Sequence, residues 1–165
     1  MAQATNRVEL TIATAIGPIR LQADGQGLIR VVLPGSKESK TTTARQAATE
    51  HPLLAKAAQQ IREYLAGERT AFDLPLSPRG TPFQLRVWEI IRQIPYGQTM
   101  TYGAIASLLG DRAKAPAVGG AAHANPLPLV IPCHRIIGAG GSLTGFACGL
   151  AMKEGLLRRE GVLTS

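Results

Sequence analysis

The run TYGAIASLLGDRAKAPAVGGAAHANP, residues 101–126, decides how the second half of this chain folds. Thr101 to Leu109 reads as a short helix, Gly110 to Ala115 as a turn, and Ala117 to Ala124 as a further helix that Asn125-Pro126 ends. Two short helices across a tight turn containing glycine fit a helix-turn-helix, and they fit an ordinary αα-corner as well. Ala117, Gly119, Gly120, Ala121, Ala122 and Ala124 leave a slim second helix able to approach a groove closely, at a cost in intrinsic helix stability. The same slimness suits close helix packing, so these residues alone leave the choice open.

Immediately upstream, Thr81-Pro82 caps a helix with Phe83, Val87, Ile90, Ile91 and Ile94 on one face, and Pro95-Tyr96-Gly97 stops it. Phe72 to Gly80, with Pro75, Pro78 and Gly80, reads as an extended linker. The expected division is residues 1–75, a linker over 76–80, and a second domain over 81–165. Further back, His51-Pro52 opens a helix bearing Leu53, Leu54, Ala57, Ala58, Ile61, Tyr64 and Leu65, closed by Gly67, and Gly35 to Thr43 reads as a mobile loop. Residues 7–33 carry strand character: Val8, Leu10 and Ile12 alternate with polar neighbours, Ile19-Arg20-Leu21 repeats the pattern, and Leu28 to Leu33 is rich in β-branched residues. Turns at Gly17-Pro18 and Asp24-Gly25 make this a short antiparallel meander. The expected fold class is therefore α/β in the α+β sense: an antiparallel sheet with a helix, then a mostly helical part.

Composition narrows the partners. Of 165 residues, 45% are hydrophobic and 18% charged, enough for a real core. Eighteen Lys and Arg against 11 Asp and Glu leave a charge of +7, which favours a polyanion, nucleic acid before an anionic membrane surface. No stretch approaches the roughly 20 apolar residues of a membrane span. Met1 to Leu10 contains no apolar core of a signal peptide. Cys133 and Cys148 are too few for a disulfide framework or a zinc site, which points to a reducing, cytoplasmic home.

The chemistry gathers downstream of residue 126. Leu129-Val130-Ile131 is an apolar β run that ends at Pro132-Cys133-His134-Arg135, presenting a thiol at the end of a buried strand. A cysteine attacks as the thiolate, and a neighbouring His or a helix N-terminus can supply that state; a buried, inert cysteine beside an unrelated His has the same local sequence. A glycine-rich hairpin, Gly138 to Gly141, follows, then Thr144 to Gly149 and a cationic helix, Lys153 to Arg159, ending in Glu160. A carboxylate returning to His134 would set the imidazole's tautomer and complete a Cys–His–Glu relay.

Taken together, Pro132-Cys133-His134-Arg135, with Asn125-Pro126 before it and Gly149-Leu-Ala-Met-Lys-Glu154 after it, resembles the O6-alkylguanine-DNA alkyltransferases (methylated-DNA–protein-cysteine methyltransferases). Thr81-Pro82-Phe83-Gln84, Ile94-Pro95-Tyr96-Gly97, Tyr102 with Ala106, and Ala117-Val118-Gly119-Gly120 carry the likeness from about Gly80 to Gly161. The first 75 residues resemble the family's ribonuclease-H-like subdomain more loosely and lack the cysteines of a zinc-binding regulatory domain. The resemblance implies direct-reversal DNA repair: one alkyl group moved irreversibly from guanine O6 to Cys133, with a pKa-lowered thiolate and no metal or organic cofactor. His134 would be the water-linked base and Glu160 its orienting partner. Tyr102 would flip the nucleotide out and donate a hydrogen bond to guanine N3, because a stacked base cannot reach a buried thiol. Asn125 would be the hinge between the recognition helix and the active-site strand. The backbone carbonyls of Cys133 and of Ile131 or its neighbour would read the guanine amino group, and the backbone around Phe146 and Ala147 would line the base pocket and contact O6.

The same resemblance implies that Lys114, Pro116, Ala117, Gly119, Gly120, Ala122 and His123 meet the DNA, together with Arg135. The partner implied is double-stranded DNA carrying O6-alkylguanine, bound by a protein that is monomeric in solution, with cooperative binding along DNA left open, and without membrane or small-molecule cofactor. Cys148 reads as small core filler, and neither His51 nor His123 takes a catalytic role. One position departs from the pattern. Where the family usually carries an arginine that fills the space left by the flipped base, this chain has Pro116, flanked upstream by Arg112 and Lys114. Three other readings make different demands. A non-catalytic sensor of alkylated bases would lack Cys133, a helix-turn-helix regulator would bind undamaged DNA by sequence, and a Cys–His hydrolase would need an oxyanion hole.

Overall fold

Alternation in the first thirty residues produces three antiparallel strands, β1 (Val8–Thr14), β2 (Gly17–Ala23) and β3 (Leu28–Val32), in the order β1-β2-β3. The computed structural model describes residues 7–36, 51–143 and 145–163. Residues 37–43 of the expected loop, and Thr144, lie outside the described residues. By its contacts the chain divides into two units, residues 1–79 and 80–165.

In the first unit the hairpin register pairs Val8 with Ala23 and Ile12 with Ile19. The loop between β1 and β2 is Ala15-Ile16, not the expected Gly17-Pro18. Thr14 explains the shift: its hydroxyl donates to Gly17 O at 2.6 Å and accepts from Ile16 N–H, so Gly17, at φ 113°, and Pro18 become the first residues of β2. At the next corner Asp24 accepts from the N–H groups of Gln26 and Gly27, the local carboxylate turn that makes Asp a turn residue. Helix α1 (Pro52–Leu65) begins where His51 accepts from Leu54 N–H and packs on β1 and β2 with Leu54, Ile61 and Tyr64 buried. Beyond α1 the extended stretch binds β3: Leu28 N–H donates to Pro75 O and Ser77 N–H to Leu28 O, each at 2.9 Å. Arg79 then closes on the Asp24 carboxylate at 2.9 Å.

The second unit is helical. Helix α2 (Pro82–Arg92) starts with a full capping box between Thr81 and Gln84 and buries Val87, Trp88 and Ile91. A two-residue strand, β4 (Met100–Thr101), leads into α3 (Tyr102–Leu108), capped by the Thr101 hydroxyl. Gly110, at φ 98°, and a 3₁₀ turn over Arg112–Lys114 lead to α4 (Ala115–His123). Helix α4 begins two residues before the expected Ala117, because Pro116 suits a first helical turn. Val118, Ala121 and Ala122 face the core, and Trp88 Nε1 donates to Ala121 O at 2.8 Å, fastening α2 to α4. Pro116, Ala117, Gly120 and His123 form the opposite, exposed face of α4. The last helix among the described residues is α5 (Leu150–Arg159), which packs against the turn carrying Cys133. Among the described residues no helix is long and apolar enough to cross a membrane.

Candidate active site

Three prolines shape the approach to Cys133. Pro126, Pro128 and Pro132 withhold backbone donors, so Leu129-Val130-Ile131 does not form the expected strand. The segment turns instead: Ile131 N–H donates to Leu127 O at 2.8 Å, and Leu129 adopts a left-handed backbone at φ 78°. Cys133 opens a 3₁₀ turn (Cys133–Arg135), and the strand follows it as β5 (Ile136–Ile137), paired in parallel with β4. That short ladder brings Tyr102, the first residue of α3, and the Cys133 turn to one cavity. Parallel pairing also means that the glycine-rich run after β5 is no hairpin; Ala139–Gly141 is a single tight turn.

Asn125, one residue past the C-cap of α4, holds the site together through three bonds. Its Nδ2 donates to Ile131 O at 2.8 Å and to Cys133 Sγ at 3.2 Å, and its Oδ1 accepts from Leu127 N–H at 2.8 Å. Ile131 O also accepts from Cys133 N–H at 2.7 Å. In front of Cys133 opens a cavity of about 460 Å³, a size suited to one small planar ligand. Tyr102, Pro116, Gly119, Ala122 and His123 wall it from α3 and α4; Phe146, Ala147 and Cys148 wall it from the segment before α5.

Behind Cys133 the site is polar and buried. His134 is fully buried and its Nε2 lies 2.8 Å from Glu160 Oε2. A carboxylate accepts, so the ring proton sits on Nε2 and Nδ1 carries the lone pair. Arg135, 5% exposed, grips the same carboxylate through Nε (2.9 Å) and Nη2 (2.8 Å) and donates through Nη1 to Ile94 O at 2.6 Å. Gly97 N–H adds a bond to Glu160 Oε1 at 3.2 Å. Lys153 on α5 is buried too, and its charge favours a Cys133 thiolate.

Burial nevertheless dominates the thiol. It pushes Cys133 up to about 11, against the opposing pull of the Asn125 amide and the Lys153 charge. The expected pKa-lowered thiolate is therefore corrected for this resting state, in which Cys133 holds its proton. Burial likewise lowers the basicity of His134, partly offset by Glu160 and reinforced by the charges of Arg135 and Lys153. The pair at rest is a neutral thiol beside a neutral imidazole.

Residues 82–162 match the DNA-binding domain of the 6-O-methylguanine DNA methyltransferases, and residues 8–78 match their ribonuclease-like domain. The methylated-DNA–protein-cysteine methyltransferase of Methanosarcina acetivorans is 44% identical over 146 residues, 88% of this chain and 93% of that one. The chain belongs to the methylated-DNA–protein-cysteine methyltransferase family. The constitutive enzyme of Bacillus subtilis is 42% identical over 83% of this chain and 84% of its own. Among solved structures, the Mycobacterium tuberculosis OGT in complex with DNA superposes with a TM-score of 0.82 at 39% identity, covering 92% of this chain and 91% of that one.

Within this family member, nine of the residues singled out from sequence line one cavity: Tyr102, Pro116, Gly119, Ala122, His123, Asn125, Cys133, Phe146 and Ala147. His134 and Glu160 meet behind it. Ala117 and Gly120 lie on the exposed face of α4, outside the cavity wall. Lys114 stands over the Phe83 ring, 5.8 Å from its centre, and Arg112 donates to Ser107 Oγ at 3.3 Å. Arg135 requires correction as a DNA contact, because it is buried with its guanidinium committed to Glu160 and Ile94 O. Cys148 is no core filler: it is half-buried and forms part of the cavity wall. Sequence reasoning also passed over Pro128, Gly145 and the buried Lys153; for Lys153 the available signal was a lysine among the apolar positions of α5.

Proposed function

We propose that this protein repairs DNA by moving an alkyl group from O6 of guanine to its own Cys133, once per molecule. One observation carries the reading: a buried thiol at the floor of an apolar cavity of about 460 Å³, backed by a His134–Glu160 pair at 2.8 Å. The slim exposed face of α4 enters the duplex, the charge of +7 draws the phosphates, and the flipped guanine fills the cavity. The protein acts as a monomer on double-stranded DNA in the cytoplasm, where reducing conditions keep Cys133 a thiol.

Chemically, His134 Nδ1 takes the thiol proton through a bridging water while Glu160 steadies the resulting imidazolium. The sulfur forms a bond to the alkyl carbon as the carbon–O6 bond breaks. The electron pair passes into the purine, and the proton held by His134 returns to guanine N1. A hydrogen bond from Tyr102 to N3 strengthens as that charge develops, which favours the transition state over the ground state. The product is a thioether that no group in the site can cleave, so the protein is spent. Asn125 couples α4 to the thiol, so the engagement of DNA reaches the reacting atom through two hydrogen bonds.

Intact-protein mass after incubation with duplex DNA carrying O6-methylguanine tests this directly. A single added methyl, mapped to Cys133 and absent from Cys133→Ser, is the expected result. Tight binding to the lesion without any mass gain would replace the proposal with that of a non-catalytic damage sensor.

A further inference from the structure

We infer that Arg135 is a positioning residue of the transfer: by gripping both oxygens of Glu160 it fixes His134 with its ring proton on Nε2 and its lone pair on Nδ1, uncharged at rest. The inference rests on the relay proposed above and adds a member to it. Glu160 Oε1 accepts from Arg135 Nε at 2.9 Å and Gly97 N–H at 3.2 Å, while Oε2 accepts from Arg135 Nη2 at 2.8 Å and His134 Nε2 at 2.8 Å. A carboxylate has about four such acceptor positions, and all four are filled by donors. The three donors besides His134, two of them from a guanidinium, stabilise Glu160 as a carboxylate and make it a poor proton acceptor, so that proton stays on Nε2.

Charge leads to the same conclusion. The groups facing His134 are Glu160, Arg135, Lys153 and the neutral thiol of Cys133. Burial is the first cause that keeps the imidazole neutral, and Glu160 works against it by favouring a second proton, which would leave an imidazolium unable to accept the thiol's proton. The positive charges of Arg135 and Lys153 reinforce burial against that carboxylate, so Nδ1 stays unprotonated until the thiol releases its proton. Arg135 is itself well fixed: Nη1 is anchored on Ile94 O at 2.6 Å, and the guanidinium lies over the Tyr96 ring, 5.7 Å from its centre. Tyr96 is held in turn by donation from its hydroxyl to Arg159 O at 3.1 Å.

A merely structural ion pair would make a different prediction, and two variants separate them. Arg135→Gln keeps hydrogen-bonding groups and removes the charge; Arg135→Lys keeps the charge and loses the fork. Methyl transfer from O6-methylguanine duplex is timed from pH 5 to 9, and the His134 ring is titrated by NMR, assigned against His134→Gln. In Arg135→Gln the acid limb of the rate and the His134 midpoint should both rise by on the order of one pH unit, with most of the rate recovered above pH 8. Arg135→Lys should restore the wild-type midpoint with a rate lowered at most about tenfold. A Gln variant slowed by one factor at every pH, with the titration unmoved, overturns the inference. So does a Lys variant whose midpoint moves upward, and that arm decides the matter if the Gln variant melts below the assay temperature. Should the wild type transfer no methyl at all, the relay falls, while the imidazole titration still decides what Arg135 does.

Discussion

On one face of Cys133 lies an open cavity walled by Tyr102, Pro116, Gly119, Phe146 and Cys148; on the other lies a closed cluster of His134, Arg135, Glu160 and Lys153. The cavity is built mainly from small and apolar residues on helices adjacent in sequence, and its shape admits a ligand. The cluster joins residues 25 and 41 positions apart, and its bonds of 2.6–2.9 Å leave no room for one. An open apolar wall tolerates change because a substituent there meets space or substrate. A saturated charged cluster does not, because removing one member leaves the others buried without compensation. Under the function proposed above, recognition falls to the front of the thiol and proton handling to the back.

The largest effect should therefore come from the back. Glu160→Gln removes the negative charge shared by His134 and Arg135, and we expect transfer to slow by about 10²- to 10⁴-fold. Breaking a buried pair should also cost about 3–5 kcal/mol in stability, read from chemical denaturation. A rate within threefold of wild type would dissolve the contrast between the two faces.

The pH profile sharpens the same contrast. With Cys133 held up to about 11 and His134 below its ordinary 6.5, neither group changes protonation between neutral pH and pH 9. Stopped-time transfer rates should be flat across that window and fall only as acid protonates His134, below pH 6.5. A rate climbing tenfold per pH unit from 7 to 9 would mean that free thiolate attacks without the relay. Stability has a matching sign. Because the folded His134 binds its proton less readily than the unfolded one, its contribution makes stability decline as pH falls through about 6.5 and adds no pH dependence above it.

The product state probes where front and back meet. A methyl on Cys133 adds volume at a residue only 8% exposed whose sulfur is hydrogen-bonded by Asn125, so the alkylated protein should be destabilised by about 1–3 kcal/mol. Equal melting temperatures for free and methylated protein would show that the cavity accepts the methyl without strain. The smallest effect belongs to the front wall. Pro116→Arg places a cation on the exposed start of α4, and transfer on duplex DNA should quicken by a few fold, on the order of 1 kcal/mol or less, with the free modified base unaffected. Equal rates on both substrates, before and after the change, would remove Pro116 from DNA engagement.

Local chemistry wrote much of the fold plainly. His51-Pro52 and Gly67 bound α1, the Thr81–Gln84 box starts α2, and the alternation around Ile12, Ile19 and Leu21 produces the meander. Each signal acts within a few residues, where backbone sterics and hydrogen-bond geometry are decisive. The same locality misled at Leu129-Val130-Ile131: apolar residues there promised a strand, but the surrounding prolines removed its donors. At Arg135 the resemblance implied a DNA contact, while its actual partners come from Ile94 and Glu160.

By itself, then, the sequence determined the first three strands and the order of the helices, the slim helix α4, the thiol and its adjacent imidazole, and through its motifs the family. Tertiary structure alone decided that Glu160 returns to His134, that Arg135 turns inward rather than toward DNA, that Cys148 joins the cavity wall, and that the Cys133 thiol keeps its proton. The reason is physical. Capping, turns and periodicity are settled by neighbours along the chain, whereas burial and charge pairing are settled by neighbours in space, and no residue carries in its own identity the dielectric in which folding will leave it.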